Sequence, residues 1–405
     1  MHRRQFIARA GTAGVGLLMS DWSGRAAESI VTMPFENGDR PLVKYPQKRP
    51  LLRLTTRPPQ LETPFAVFDE SVLTPNDAFF VRYHLTLSPP PMGLLSPDKF
   101  RLRVAGKVNT SREYSLAALM EQFEPVEVVA VNQCSGNSRG FFQPRVPGGQ
   151  LGNGAMGNAR WKGVRLKDVL EKSGVAAAAR QVAFNGLDAP LVPQTPDFIK
   201  AIDVDHALDG EVLLAYEMNG AALPWLNGFP LRLVIPGHYG TYWVKHLHEI
   251  SVADDSFTGY WNNPAYRIPD NACACVEPGS TPKRTVPINR YNVRSFITNP
   301  ADGAQVKVGA ATTLRGIAFD GGYGIREVVV SEDGGRTWRE ADLGRDLGKY
   351  SFRQWTISFQ PVRPGDYELK VKATNRIGQS QPLEPLWNPG GYMRNVVESV
   401  RVSAA

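Results

Sequence analysis

The sequence predicts an α+β chain in which a mixed α/β domain is followed by an antiparallel β-sandwich of immunoglobulin type. Three observations carry this. The 38 Gly and 32 Pro are spread along all 405 residues, which favours short strands and many turns over long helices. Apolar residues at helical spacing occur only in the first part of the chain, at 116–123 and 166–170. From about residue 286 the texture becomes short runs of alternating apolar and polar residues separated by turns. A content of 42% hydrophobic and 21% charged residues supports a sizeable core and excludes disorder, collagen and coiled coil.

In chain order, His2-Arg3-Arg4-Gln5-Phe6-Ile7 precedes a small and apolar stretch up to Met19, then Ser23-Gly24-Arg25-Ala26-Ala27. A basic start, an apolar segment and a small-residue cleavage site read as a secretory signal over 1–27, and the arginine pair points to the twin-arginine route. The apolar run is shorter than the roughly 18 residues a membrane span needs, so the mature protein is expected to lack a span and to reside in the periplasm. Residues 28–66 read as a Pro-rich, irregular wrap over the surface. Phe79 to Leu85 alternates and reads as a strand. Ser115 reads as an N-cap for a helix placing Leu116, Leu119, Met120 and Phe123 on one face. Val126 to Val131 is strand-like, Gly148 to Gly157 is too rich in glycine for regular structure, and Leu166, Val169 and Leu170 form a helix that stops at Gly174.

Three domains follow: the signal at 1–27, a catalytic domain at 28–285 and the sandwich at 286–405, with the boundary near Pro287. The sandwich strands are read around Val306 and Val308, Leu314 to Phe319, Val328 to Val330 and Tyr367 to Ala373. No catalytic-looking cluster lies in it, so its expected role is interaction or dimerisation.

The balance of 46 Lys+Arg against 39 Asp+Glu, net +7, is too mild to imply nucleic acid, and no basic run suggests it. Of three cysteines, Cys273 and Cys275 are too close for a zinc knuckle and read as loop residues, with redox pairing the lesser alternative. Cys134 differs. It lies in Asn132-Gln133-Cys134-Ser135-Gly136-Asn137-Ser138-Arg139-Gly140, where glycines give access and Arg139 favours a thiolate. Such a thiol suits a metal ligand or a nucleophile; an inert buried cysteine is the alternative. No protease-type histidine signature accompanies it. A lone thiolate ligand makes sense where the metal brings its other ligands on an organic cofactor.

Taken in order, these motifs identify the chain as resembling the sulfite oxidase family of molybdopterin enzymes, in particular its bacterial exported members without a fused haem domain. The resemblance runs from about residue 63 to the C-terminus. It rests on Phe80-x-Arg82-x-His84, Cys134-Ser-Gly-Asn-Ser-Arg139, Asn158-Ala-Arg160-Trp161-x-Gly163, Ala215 to Gly220, Gly228 to Arg232, Pro236-Gly237 and Trp243-Val244-Lys245. In the second domain it rests on Ser331-x-Asp333-Gly334-Gly335-x-Thr337-Trp338 and Leu386-Trp387-Asn388.

The resemblance implies one molybdenum-molybdopterin cofactor per chain with Cys134 as the protein's ligand to the metal. Arg82 and Arg139 match pocket arginines, whose forks suit a small oxyanion, and Tyr266 matches the active-site tyrosine. Phe80, Val81, Tyr83, His84, Asp188, Asn227, Arg232, Trp243, Val244 and Lys245 match segments that hold the pterin and its phosphate. The implied reaction is oxidation of sulfite to sulfate. With no Cys-x-x-Cys-His in the sequence, no haem is expected in this chain, and electrons are expected to pass to a c-type cytochrome, in the periplasm or as a dedicated subunit. A homodimer through the C-terminal domain is a further expectation. The rival readings are another molybdopterin oxo-transferase, of nitrate or sulfoxide reductase type, and an exported binding protein without activity.

The sequence departs from animal members at three places. Asn227 replaces a histidine before Gly-Phe-Pro, Leu151 stands near the position of a pocket tryptophan, and Trp387-Asn388 is followed by Pro389-Gly390-Gly391 where an arginine is expected. Arg394 is the nearby candidate to replace it.

Overall fold

The computed structural model describes residues 29–85 and 96–405; the leader expected at 1–27 lies outside them. The first surprise is the segment read as an irregular wrap. Ile30–Thr32, Asp39–Val43, Leu51–Thr55, Gln60–Glu62 and Val81–Arg82 form a five-stranded sheet in that order. Pro46, Pro50, Pro58 and Pro59 fall between the strands, where a missing N–H costs no ladder bond, and Pro41 alone of the segment's prolines lies inside one, Asp39–Val43, opposite Ile30. Val43, Leu51, Leu61 and Val81 supply its buried face together with Tyr83 and Leu226. Of the strand expected at 79–85 only Val81–Arg82 pairs, with Gln60 and Leu61. Phe79 and Phe80 are both buried, Phe79 edge-on to Trp161 at 5.7 Å, so the stretch enters the core instead of alternating.

Two further five-member sheets complete the first domain. Ile199–Asp203, Gln181–Gly186, Leu247–Ala253, Leu102–Gly106 and Arg112–Tyr114 lie side by side, with Leu247–Ala253 running parallel to Leu102–Gly106. Ala221–Ala222, Leu213–Met218, Met156–Arg165 and Pro125–Gln133 form the other, joined by Arg232–Val234 on Leu213–Met218. The glycine-rich loop therefore ends two residues earlier than expected, because Met156 and Gly157 already pair with Gln133 and Asn132.

The helices are few and short. Ser115 Oγ accepts the Ala118 N–H at 3.0 Å and caps Leu116–Gln122. The expected shared face is corrected: Leu119 is buried, Met120 is 46% exposed, and Phe123 has already left the helix with extended backbone. Leu166–Ser173 ends as predicted at Gly174, whose φ of 72° and N–H bonds to Leu170 and Glu171 carbonyls close the last turn. Among the described residues no helix is long and apolar enough to cross a membrane.

The second domain is a sandwich of two sheets. One holds Arg294–Asn299, Thr312–Phe319, Arg353–Phe359 and Asp342–Leu343; the other holds Ala304–Val306, Glu398–Ala404, Gly365–Asn375, Ile325–Ser331 and Arg339–Glu340. Val308 lies past its expected strand. The division near Pro287 is blurred, because Thr285–Pro287 pairs back onto Arg267–Pro269. Apolar packing also crosses it: Phe296, Phe319, Tyr350 and Phe352 belong to the core built around Trp161 and Trp243. The Val131 N–H donates to the Tyr350 carbonyl at 2.9 Å, and the Tyr291 hydroxyl donates to the Val131 carbonyl at 2.8 Å while accepting the Gln133 N–H. The sandwich thus buttresses the strand that delivers Cys134.

Candidate active site

Pro125–Gln133 pairs along its whole length with Met156–Arg165, and Cys134 is the first residue beyond it. The Cys134 N–H donates to Ala155 O at 2.9 Å and the Asn137 N–H returns to Cys134 O at 3.0 Å, so the thiol sits in a hydrogen-bonded turn. The glycine-rich loop is the outer wall of that turn. Ser138 and Gly140 donate to Gly152 and Leu151 carbonyls, while the buried Glu62 carboxyl receives the N–H groups of Gly152 and Gly154 at 3.1 and 3.3 Å. Burial pushes Glu62 up to about 7.

Cys134 opens onto a cavity whose free space, counting the part open to solvent, is about 510 Å³. Phe80, Arg82, His84, Asn227, Arg232, Trp243, Lys245 and Tyr266 line it with Cys134, so nine residues expected from sequence converge across nearly two hundred positions. The others stand behind it. Val81 and Val244 are buried in apolar cores. The buried Tyr83 hydroxyl pairs with His246 Nε2 at 2.6 Å, and the Lys245 ammonium lies 4.3 Å from the Tyr83 ring centre. Asp188, pushed up to about 6 by burial against the opposing pull of Lys245, is buried next to Lys245. Arg139 lies over the Tyr392 ring at 4.9 Å and donates to Gly390 O at 3.2 Å and Gly149 O at 3.4 Å. Leu151 belongs to the apolar core and does not line the cavity.

The electrostatics are one-sided. Arg232 is buried with no carboxylate partner among the described residues; it donates to Asn227 O at 2.8 Å and Trp243 O at 3.3 Å and covers Trp161 at 4.9 Å. Burial lowers it to about 10. Lys245 donates to Arg82 O at 2.8 Å and is lowered to about 7 by burial. His84 stacks on Phe198 at 4.2 Å, shares a short hydrogen bond with the Tyr266 hydroxyl, and is kept neutral by burial and by Arg82, Lys245, Lys200 and Arg139. Burial holds the Tyr266 phenol well above its ordinary value. Sequence reasoning missed two lysines here. Lys48 donates to Asn227 Oδ1 at 2.5 Å and to Phe79 O at 3.0 Å, and Lys200 bonds the Trp261 carbonyl 5.2 Å from the Tyr266 ring. Lys200 had a legible signal, as the one charged residue in the apolar run Phe198-Ile199-Lys200-Ala201-Ile202; Lys48, in Gln47-Lys48-Arg49, had none.

Outside the cavity, Cys273 and Cys275, read as loop residues, are paired in a disulfide within the exposed loop after Arg267–Pro269. Arg394 does not replace the missing pocket arginine: it pairs with Glu398 at 2.8 Å and covers Phe141.

Residues 88–261 match the family model of the oxidoreductase molybdopterin binding domain, and 285–405 that of the Mo-co oxidoreductase dimerisation domain. Sulfite oxidase of Gallus gallus is 36% identical over 87% of this chain and 78% of its own length. Mitochondrial sulfite oxidase of Homo sapiens is 35% identical over 93% of this chain and 70% of its own. The chain belongs to the sulfite oxidase family. It is a molybdopterin oxidoreductase, and the reading as a binding protein without activity is set aside. Nitrate reductase of Hordeum vulgare is similar at 30% identity, but only 42% of its length is covered. Among solved structures, the sulfane dehydrogenase SoxCD of Paracoccus pantotrophus superposes with a TM-score of 0.71 over 97% of this chain and 92% of that one; at 20% identity it attests the fold.

The residues present fit the family's cofactor. Arg232 Nε, Asn132 Oδ1, Ser135 Oγ and Thr241 Oγ1 all belong to cavity-lining residues and are buried without a hydrogen-bond partner among the described residues. Buried polar atoms are rarely left so. Together with the excess of cations, they call for a polar, anionic occupant beside the soft Cys134 sulfur.

Proposed function

We propose that this enzyme oxidises sulfite to sulfate. The observation that carries the reading is the convergence of the Cys134 thiol, Arg82, His84 and Tyr266 on one cation-rich cavity in a chain over a third identical to curated sulfite oxidases. Cys134 would hold molybdenum, and Asn132, Thr241, Arg232 and Lys245 would hold the pterin and its phosphate. The cofactor, when bound, supplies the two-electron oxygen transfer that no side chain can perform. The protein supplies the rest. Arg82 orients the anion from the cavity wall and Arg139 adds its charge from behind it; Tyr266 retains its proton at pH 7, and a neutral His84 that carries its proton on Nε2 donates to the Tyr266 oxygen, so the phenol O–H rather than a phenolate faces the anionic substrate. Phe80, Phe198 and Trp243 restrict water and strengthen these contacts.

The two electrons leave to a separate acceptor, which we take to be a c-type cytochrome. The Cys273–Cys275 pair supports residence in an oxidising compartment such as the periplasm, in keeping with the twin-arginine motif. The match of residues 285–405 to a dimerisation domain supports a homodimer. Purified protein from a cofactor-competent host should contain molybdenum and reduce ferricyanide and cytochrome c with sulfite. Turnover of nitrate or a sulfoxide with none of sulfite would replace this reading by the reductase one.

A further inference from the structure

The arginine that the Trp387-Asn388 segment was expected to contribute is absent, yet that segment still reaches the site. The Met393 N–H donates to Ser135 O at 3.0 Å, next to Cys134. Gly390 O accepts Arg139 Nε. The Tyr392 ring lies between two site residues: stacked on Tyr266 with centres 5.3 Å apart and planes 24° apart, and covered by the Arg139 guanidinium at 4.9 Å. Asn388 fixes Tyr392 through the backbone alone, its Oδ1 accepting the Tyr392 N–H at 3.1 Å and its Nδ2 donating to Tyr392 O at 2.9 Å.

The fit is close on the arginine side as well. A Cβ on Gly391, at φ 58°, would stand 2.4 Å from Val146 Cγ2 and 2.9 Å from Arg139 Cγ; one on Gly136 would stand 2.7 Å from the guanidinium carbon. Glycine at both positions leaves room for the Arg139 side chain between the Cys134 turn and the Tyr392 ring. Arg139 does not itself line the cavity, so its charge acts on the anion from a fixed place.

We propose that Asn388–Met393 is a clamp from the second domain that backs the oxyanion pocket, with Tyr392 as the positioning residue that sets Arg139 and Tyr266 relative to each other. The chain thereby replaces a second-domain cation that would touch substrate by an aromatic that aims two first-domain groups. This rests on the reading of the cavity as an oxyanion site and deepens it. A stacked ring and a partly desolvated cation–π contact together are worth roughly tenfold in anion affinity.

The test uses the loaded enzyme and three variants. Tyr392→Leu should raise KM for sulfite roughly tenfold with kcat within about threefold, and Tyr392→Phe, which keeps the stacking, should restore KM. Asn388→Ala, which frees the segment without touching the ring, should shift KM in the same direction. Calorimetric titration with sulfate gives a readout apart from turnover: its Kd should rise in Tyr392→Leu by the factor seen in KM, at unchanged molybdenum content and unfolding midpoint. An unchanged sulfate Kd in a folded Tyr392→Leu protein overturns the clamp, as does a Tyr392→Phe protein as impaired as Tyr392→Leu. Should the wild type bind sulfate but fail to oxidise sulfite, the functional reading falls while the sulfate titration still decides the clamp.

Discussion

Cys134 shows what a single residue can and cannot reveal. Its surroundings in sequence, two glycines and an arginine, set it apart from an inert core thiol, and the structure gives the reason: the turn closes on its own carbonyl and leaves the sulfur facing the cavity. A Cys134→Ser protein replaces a soft thiolate by a hard hydroxyl. It is expected to keep its pterin, because Arg232, Lys245, Asn132 and Thr241 are untouched, and to lose sulfite turnover. Pterin fluorescence after denaturation, set beside steady-state rates, checks both halves; full activity would remove Cys134 from the metal. Arg82 and Tyr266 were legible only through the ordered motifs that the chain shares with the family, not from their own surroundings. Lys48 and Tyr392 were not, because each acts through a partner far along the chain: Lys48 through Asn227, 179 positions away, and Tyr392 through Arg139 and Tyr266. No window of neighbouring residues contains that information.

At the scale of elements, periodicity served where one face is buried and failed where two are. The helix Leu166–Ser173 and the strand Gly365–Asn375 follow their patterns, whereas Phe79 and Phe80 are buried together and the first sheet hides among prolines. The glycine-rich loop was legible as a loop but not as a wall, since its tether is Glu62 on another strand. That wall leaves no room for a side chain at Gly154, where a Cβ would meet the Thr63 carbonyl oxygen at 2.1 Å. Gly154→Ala should therefore destabilise the protein by roughly 1 to 3 kcal/mol, as overpacking of a fixed backbone does. Chemical denaturation checks it; an unchanged midpoint would mean that Thr63 and the loop can part at no cost. The Cys273–Cys275 disulfide should behave in the opposite way. With one residue between its cysteines it closes almost no chain in the unfolded state, so it restrains little. Mild reduction should leave the unfolding midpoint within about 1 °C, measured by differential scanning with a thiol count to confirm that the bond has opened.

The whole molecule pays for its site in charge. Lys48 and Lys200 are buried and Lys245 lines the cavity, each lowered to about 7 by burial. Glu62 and Asp188 are raised by the same cause, to about 7 and about 6. These two sets tilt stability in opposite directions. Between the ordinary carboxylate range and about pH 7 the folded state holds protons on Glu62 and Asp188 that the unfolded chain has lost, so their contribution is full at low pH and disappears as pH rises through about 7. Between about pH 7 and the ordinary lysine value near 10.5 the unfolded chain holds protons that the folded lysines have released, so stability climbs again with pH. Cofactor-free protein should therefore show a minimum in its unfolding midpoint near pH 7. An anionic occupant beside Lys245 and Arg232 favours the charged form of Lys245 and offsets the desolvation that lowered it, so the loaded enzyme should be more stable at pH 7 and should lose the part of the rise that Lys245 contributes, while Lys48 and Lys200, which do not line the cavity, keep theirs. Scanning calorimetry of both forms from pH 5 to about 10 tests this. A cofactor-free midpoint that falls steadily from pH 7 to 10 would mean that Lys48, Lys200 and Lys245 keep their protons when buried, and would overturn the expected minimum.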